Sequence, residues 1–305
     1  MYKPTAKGYF SGIGIFEIGL QEAGLNFIQS LDIDKGATRI MGMNPHYFSH
    51  NIVTDDIKNI LVEPQSKSDV VIGTYPCTKY SDIGDIHGVR TGDELYLHFF
   101  RHVAIELPEV YVLENVPGMM KFPVVVEAMT KLPQYYVQVF CPVNALNWLP
   151  QDRKRVIIIG TKKPFNFTSP SNVRRTTVKD ILVKDPCVNI PKNVYARING
   201  YYRDKPIIVD PDNSNAFAPT CVAHYSKDQG TRLVIDKKFP GGLRPFTVRE
   251  YARLQGVPDD FAFPTHKDGS DIKKNFMYIG NGVPREIGIW VGKQLMKYFN
   301  MRRAA

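Results

Sequence analysis

The first half of the chain alternates short apolar runs with stretches of helical periodicity, and this alternation restricts the fold more than any other feature. Strand–helix alternation predicts an α/β fold with a parallel, doubly wound sheet. Unbroken apolar runs indicate that both faces of this sheet are covered. The runs that predict strands are Phe27–Leu31, Val70–Ile72, Val110–Leu113, Tyr136–Phe140 and Val156–Ile159. Helical patterns, such as Ile15–Ala23 and Leu95–Glu106, lie between them.

The pattern changes after Lys163. Residues 164–245 contain many prolines and few long apolar runs, which is typical of a loop-rich region with short strands. We therefore expect a large domain formed by residues 1–163 and 270–305, and a smaller loop-rich and β-rich domain formed by residues 164–269. The later elements that the pattern predicts are strands at Pro206–Val209 and Arg232–Ile235, a helix at Thr247–Leu254 capped by Thr247, and a last helix at about 284–299.

Positive charge is concentrated in the second half of the chain. The 305 residues carry a net charge of +9. Residues 1–163 contribute −1 (16 basic, 17 acidic), residues 164–245 contribute +6 (13 basic, 7 acidic) and residues 246–305 contribute +4 (10 basic, 6 acidic). This distribution favours the second half as the partner of a polyanion such as nucleic acid, although a solvated basic surface would have the same composition.

Cysteine spacing and hydropathy limit the other function classes. Cys77, Cys141, Cys187 and Cys221 form no CxxC pair, so we expect reduced thiols and no structural zinc. No apolar run has the length of a membrane span, and the N-terminus lacks the apolar segment of a signal peptide. We therefore expect a cytoplasmic, nucleoid-associated protein.

The Gly-rich segment Phe10–Gly19 predicts a turn that leads into a helix. Glycines let the backbone approach a ligand closely, and a helix N-terminus favours a carboxylate or phosphate. Asp32 follows the next apolar run at about the spacing where an acid can bind ribose hydroxyls. Asp56 ends a further segment and could accept a hydrogen bond from an adenine amino group. On these residues alone, a nicotinamide cofactor remains possible; S-adenosylmethionine (AdoMet) is favoured only by a family resemblance that further motifs carry.

Three segments with reactive side chains each lie just after a run that predicts a buried strand. Pro76-Cys77 comes after Val70–Ile72, Glu114 follows Val110–Leu113, and the segment 151–155 carries two arginines. Because open α/β sheets bind ligands outside the carboxyl ends of their strands, we expect a thiol, a carboxyl and a guanidinium to converge. Each group alone has an ordinary explanation: a small buried cysteine, a surface carboxylate or a charged edge strand.

The order of these motifs resembles that of the DNA (cytosine-5) methyltransferase family, in its prokaryotic and phage form. The resemblance runs from about Gly8 to about Phe299. The strings that carry it, besides the Gly-rich turn, are Pro76-Cys77, Glu114-Asn115-Val116, Gln151–Arg155, Leu243–Gly256 and Ile279–Pro284. It implies a class I AdoMet-dependent methyltransferase (Rossmann-like) sheet with a smaller target-recognition domain. The implied reaction is methyl transfer from AdoMet to C5 of a flipped cytosine in a specific sequence of double-stranded DNA.

The resemblance also implies residue roles. Cys77 would form a covalent bond to C6, Glu114 would stabilise the N3 and 4-amino edge, and Arg153 would hold the base, with Arg155, Pro76 and Asn115 in support. The cofactor residues would be Phe10, Ser11, Gly12, Gly14, Asp32, Ile33, Asp56, Ile57, Pro76, Asn281 and Val283. The DNA-binding residues would be Ser81, Arg90, Gln151, Arg197, Tyr201, Arg203, Lys227 and Arg232. No metal is implied.

Two positions depart from the family pattern. Gly8 stands where the family usually has Asp, and the first strand is less apolar than usual; this suggests a short first strand or the loss of one contact. Thr78 replaces a glutamine that normally contacts DNA beside the flipped base, so strand separation is expected to be handled differently.

Partners and rival functions follow from the same resemblance. We expect a monomer that acts on double-stranded DNA and has a possible cognate restriction endonuclease. One rival is the same fold acting on RNA, because tRNA-methylating relatives keep the same nucleophile and acid. The others are a non-catalytic DNA-binding paralogue and a Rossmann-type oxidoreductase, which has no use for the Cys77 and Glu114 pair.

Overall fold

The structure is a computed structural model that describes residues 2–62, 68–76, 95–174, 176–188, 190, 192–200, 207–265 and 270–304. The chain divides into two compact units. The large-sheet unit comprises residues 1–144, 154–170 and 287–305. The small-sheet unit comprises residues 145–153 and 171–286.

A seven-stranded sheet forms the centre of the large-sheet unit. Its strands are β1 (Thr5–Tyr9), β2 (Asn26–Asp32), β3 (Asn51–Thr54), β4 (Val70–Gly73), β5 (Val110–Asn115), β6 (Tyr136–Asn144) and β8 (Lys154–Thr161), in the order β3-β2-β1-β4-β5-β8-β6. β1 to β5 are parallel, whereas β8 is antiparallel to both of its neighbours. The carboxyl ends of the five parallel strands and the start of β8 therefore lie along one edge, which we call the site edge.

Helices cover this sheet. They are α1 (Ile15–Glu22), α2 (Lys35–Gly42), α3 (Leu95–Glu106), α4 (Pro123–Thr130) and α9 (Arg285–Ala304). Every residue of β4 and β5 is buried, as expected for strands with both faces covered. The Asp34 side chain caps α2 by accepting hydrogen bonds from the Gly36 and Ala37 amides.

A buried polar cluster fixes α3 against β1. Lys7 Nζ lies 3.0 Å from Glu106 Oε2, and the Tyr9 hydroxyl lies 2.9 Å from His102 Nδ1. Although burial alone would raise it, hydrogen bonds from His102 and Lys7 hold the pKa of Glu106 below its ordinary value. Each group has a partner of complementary charge or hydrogen-bonding capacity, so the cluster orients the helix on the strand.

The small-sheet unit has less regular structure. It contains β9 (Ile207–Val209), β11 (Arg232–Ile235) and β12 (Leu243–Pro245) in one sheet, and β7 (Gln151–Asp152) paired with β10 (Ala218–Pro219). Its helices include α5 (Val178–Ile181), α6 (Lys192–Asn199), α7 (Val248–Leu254) and α8 (Ser270–Asn281). Thr247 and Glu250 form the expected capping box at α7.

The boundary of the units differs from the division expected from composition. Residues 270–286 belong to the small-sheet unit because Phe276 packs against Tyr225 and Tyr251. The Gln255 side chain also donates to the Ile279 and Gly282 carbonyls. These contacts join segments far apart in sequence, and composition does not report them.

The predicted strands in the first half are all present, each within a few residues of its expected bounds. Apolar runs alone did not predict two strands of the large sheet, although the family resemblance implied a first strand at the position of β1. β1 contains Lys7 and Gly8, and β3 has no fully buried residue, so neither has a clear apolar pattern. β1 has five residues and pairs with both β2 and β4, so Gly8 does not interrupt it. Within the described residues, no helix is long and apolar enough to cross a membrane.

Candidate active site

The Gly-rich segment forms a tight turn between β1 and α1. Phe10, Gly12 and Gly14 all have positive φ angles, of 62°, 57° and 78°. The left-handed region is unusual for phenylalanine, and such backbone strain is concentrated at functional turns. A side chain at Gly12 would meet no atom within 4 Å, so this turn faces open space. The turn is therefore shaped for close approach of a ligand at the N-terminus of α1.

Two acidic residues continue the site edge at the ends of β2 and β3. Asp32 Oδ2 accepts a hydrogen bond of 2.7 Å from the Gly12 amide, and Oδ1 accepts one from the Asp34 amide. Burial raises the pKa of Asp32, while these backbone hydrogen bonds act in the opposite direction. Asp56 lies beyond β3 and accepts from the Lys58 amide, with Ile57 buried beside it and Ile33 exposed after β2. Each carboxylate keeps lone pairs for a further donor.

Glu17, in the first turn of α1, lies close to the Gly-rich turn and was not among the residues predicted from the sequence. Its side chain is buried (3% exposed), and Ser30 Oγ lies 2.5 Å from its Oε2. Burial raises the pKa of Glu17 to about 7, although the Ser11 and Ser30 hydroxyls favour the ionised form. The signal available in the sequence was an acid between Phe16 and Ile18, in an otherwise apolar helical turn.

We expect Glu17 to make stability depend on pH in the absence of any ligand. Its pKa is higher in the folded protein than in the unfolded chain. Ionisation of Glu17 therefore does not destabilise the fold below about pH 4.5, and its destabilising effect reaches its full size above about pH 7. The free energy of unfolding of Glu17→Gln should therefore exceed that of wild type by up to about 3 kcal/mol at alkaline pH, and by less as the pH falls. Urea unfolding at three pH values measures this difference. Glu22→Gln, which changes an exposed acid of the same helix, is the control; a gain for Glu17→Gln that is equal at every pH would contradict the assignment.

The segment that leads to Pro76-Cys77 is anchored to both neighbouring strands. The Thr74 hydroxyl donates to the Phe10 carbonyl (2.8 Å), and Asn115 Nδ2 donates to the Tyr75 carbonyl (3.2 Å). Asn115 therefore fixes the backbone immediately before exposed Pro76, while its role in catalysis stays a prediction. Cys77 itself lies outside the described residues.

Glu114 and Arg155 form a buried ion pair at the site edge. Arg155 Nε lies 2.9 Å from Glu114 Oε1, and the two side chains are 10% and 6% exposed. Glu114 is near the carboxyl end of β5, and Arg155 is near the start of β8. The segment 151–155 was expected to follow a buried strand; instead it precedes one, and the antiparallel direction of β8 returns it to the same edge. A charge-assisted hydrogen bond of this kind fixes the carboxyl group in one orientation.

Arg153 and Gln151 make long-range hydrogen bonds that were not expected from the sequence. Both belong to the small-sheet unit and are buried. Arg153 donates to the Cys221, Gly280 and Gly282 carbonyls, so its guanidinium holds backbone together in that unit, and its contact with the base stays a prediction. Gln151 has no exposed surface; it donates to the Leu254 carbonyl and accepts from the Cys221 amide. Long-range hydrogen bonds therefore occupy the Gln151 amide, and the DNA contact expected of it stays a prediction.

The remaining predicted DNA residues fall into two groups. Lys227 is exposed, and Arg232 is half-buried with Nη1 3.0 Å from the Thr231 hydroxyl. Tyr225, two residues before Lys227, is buried and donates to the Arg232 carbonyl. Ser81, Arg90, Tyr201, Arg203 and the side chain of Arg197 lie outside the described part of the chain.

Asn281 and Val283, predicted to reach the cofactor, lie at the end of α8 and just beyond it. Asn281 is exposed, and Val283 is buried. Both belong to the small-sheet unit, so their role at the turn of the large-sheet unit stays a prediction. Across the described ranges, no cluster of histidine, cysteine or acidic side chains is arranged to hold a metal ion.

The fold and the site edge define a Rossmann-like methyltransferase. The chain belongs to the C-5 cytosine-specific DNA methylase family, whose model matches residues 8–297. It is 26% identical to the Type II methyltransferase M.Sau96I of Staphylococcus aureus, over 95% of this chain and 75% of that protein. It is 27% identical to M.Bsp6I of Bacillus sp. (strain RFL6), over 84% and 88%. The protein is thus a DNA (cytosine-5) methyltransferase, and its family implies AdoMet as methyl donor.

Solved structures agree on the fold. The Entamoeba histolytica methyltransferase EhMeth matches with a TM-score of 0.75 and 21% identity, covering 98% of each chain. The S. pombe Dnmt2 methyltransferase matches with a TM-score of 0.76 and 16% identity, covering 98% of this chain and all of that one. These similarities support the α/β architecture of the large sheet.

Proposed function

We propose that this enzyme methylates cytosine through a covalent bond between Cys77 and C6 of a flipped base, with AdoMet bound at the Gly-rich turn. The observation that carries the proposal is the Glu114–Arg155 ion pair at the same sheet edge as that turn. The Asn115–Tyr75 hydrogen bond adds to it, because it anchors the backbone that continues into Cys77. The residues at this edge fit AdoMet, because Gly12 faces open space at the N-terminus of α1 and Asp32 and Asp56 supply carboxylates.

Cys77 activates the base. Cytosine C5 is a poor nucleophile while the ring is aromatic, and attack of the Cys77 thiolate on C6 converts C4–C5 into an enamine. AdoMet, when bound, supplies an electrophilic methyl group for C5. Loss of the C5 proton to a base then re-forms the C5–C6 double bond, and the electron pair of the C6–sulfur bond returns to Cys77.

Glu114 stabilises the edge of the ring where electron density accumulates during the attack. A carboxyl at N3 and the 4-amino group holds a proton at N3 and accepts from the amino group. We assign Arg155 to orient this carboxyl, because the two side chains pair at 2.9 Å in a buried position. Arg153 acts on structure instead, through backbone carbonyls of the small-sheet unit.

The substrate is double-stranded DNA with a specific recognition sequence. C6 is inaccessible inside a stacked duplex, so the base must be flipped out. Basic residues of the second half, including exposed Lys227, would bind phosphates. We further propose that the enzyme acts as a monomer in the cytoplasm, without a metal, and in company with a cognate restriction endonuclease, as the Type II designation of its relatives suggests.

A trapping experiment tests the covalent step. The protein is mixed with AdoMet and a mixed-sequence duplex carrying 5-fluorocytosine at every cytosine, and the products are analysed by mass spectrometry. Fluorine at C5 prevents proton loss, so we expect a covalent adduct that maps to Cys77 and is absent in Cys77→Ala.

Cys187→Ala is the matched control, since it removes a different exposed thiol and should leave the adduct intact. A folded protein that binds AdoMet but forms no adduct on DNA would contradict the proposal. An adduct on tRNA instead would identify RNA as the substrate.

A further inference from the structure

Gly8 and Glu17 share one small volume beneath the Gly-rich turn. Gly8 lies next to the end of β1, and a Cβ built on it would be 2.0 Å from Glu17 Oε1 and 2.9 Å from Ser11 Oγ. The carboxyl group from the first turn of α1 therefore occupies the place that a side chain at position 8 would take. Any larger residue at position 8 requires Glu17 to move.

Glu17 is incompletely paired despite its burial. Ser30 satisfies Oε2, but no hydrogen bond of normal geometry reaches Oε1 among the described residues, and Ser11 Oγ, although it lies close to this carboxyl, makes none either. A buried acceptor without a donor is costly, and such groups in native structures usually have a ligand or a function. No lysine or arginine within the described ranges forms an ion pair with Glu17.

The two unpaired oxygens lie beside the ligand-facing part of the turn. Ser11 is the residue before Gly12, whose face is open, and the Gly12 amide is held by Asp32. The negative charge of Asp32 opposes ionisation of Glu17. His50 contacts the Ser30 hydroxyl and not the Glu17 carboxyl. A ligand that satisfies this site must bring hydrogen-bond donors and positive charge.

We propose that Glu17 and Ser11 bind the α-ammonium group at the amino-acid end of AdoMet. An ammonium has three donors and no acceptor, which matches an unpaired carboxylate oxygen and a hydroxyl oxygen. Position 8 in β1 holds glycine where the family usually has aspartate, so the carboxyl group at this place comes from Glu17 of α1 instead. This inference rests on the proposed AdoMet site at the turn and adds a specific residue for its charged end.

Calorimetric binding of two ligands tests the inference without any measurement of activity. S-adenosylhomocysteine carries the amino-acid end, whereas 5′-methylthioadenosine lacks it. Glu17→Gln should weaken the binding of S-adenosylhomocysteine by about tenfold and leave the affinity for 5′-methylthioadenosine within about twofold of the wild-type value. Ser11→Ala should show a smaller loss of the same selectivity, and Glu22→Gln should bind both ligands as wild type does.

If Glu17→Gln weakened the binding of both ligands equally, the inference would be overturned, because the substitution would then act on the structure of the turn. No weakening of either would overturn it as well. Failure of wild type to bind either ligand would be a different result, because it would remove the AdoMet site itself.

Moving the carboxyl group from the helix to the strand tests the inference a second time. Gly8→Asp alone should destabilise the protein, because its carboxyl collides with Glu17. The double variant Gly8→Asp with Glu17→Ala should recover most of the S-adenosylhomocysteine affinity that Glu17→Ala loses. A folded double variant without recovery would count against the inference.

Discussion

Glu114→Gln should reduce kcat for methyl transfer to DNA by about 1,000-fold. The amide keeps the size of the side chain but cannot hold a proton at N3 of the base as a carboxylate does. It also leaves Arg155 without the negative charge that now lies 2.9 Å from its Nε. Transfer of labelled methyl groups from AdoMet to duplex DNA, measured with saturating substrates, gives this number.

The control separates loss of the reaction from loss of the fold. Glu127→Gln changes an exposed acid of the same unit, which pairs with Lys131 at the surface, and should leave kcat unchanged. Binding of S-adenosylhomocysteine by Glu114→Gln should also persist, because Glu114 lies at β5 and the Gly-rich turn follows β1. A variant that keeps kcat within about tenfold of wild type would remove Glu114 from the mechanism.

Arg244→Met should destabilise the small-sheet unit by about 3–5 kcal/mol. Arg244 is fully buried and pairs with both oxygens of Glu250 at 2.8 Å, while its Nε lies 2.8 Å from Asp236. Removing the guanidinium leaves two carboxylates near each other without a cation, one of them fully buried. Glu250 also completes the capping box of α7 and accepts from the Val183 amide, so the loss spreads to neighbouring elements.

Urea unfolding followed by Trp148 fluorescence measures this effect, in a Trp290→Phe background so that the signal comes from the small-sheet unit. Lys238→Met is the matched control, since it removes an exposed ion pair with Asp185 and should change stability far less. Similar effects of the two substitutions would show that the buried network is not a main source of stability in this unit.

Some of the site could be predicted because local sequence specifies where an element ends. Glu114 was placed correctly at the end of a buried strand, and Asn115 follows it as expected. Asp32 and Asp56 lie at or beyond the ends of adjacent parallel strands, which brings them to the same edge as the turn. Apolar periodicity and the parallel arrangement are together sufficient for such placement.

Other parts depended on partners far away in sequence. Arg153 and Arg155 are two residues apart, yet one binds carbonyls more than 60 residues away and the other binds Glu114. Nothing in an alternating string of charged residues distinguishes them. The family resemblance placed Gln151 at the DNA surface, whereas its amide hydrogen-bonds to buried backbone groups.

The sequence by itself determined the strand–helix alternation of the large sheet, the family and the acid at the end of β5, because each depends on neighbouring residues or on the order of motifs. Only the tertiary structure decided which arginine pairs with that acid, where the two units divide, and that the Glu17 carboxyl fills the space above Gly8. Those outcomes depend on which groups meet when distant segments pack. A buried charge or polar group is stable only where a partner is present, and the partner is known only once the chain is folded.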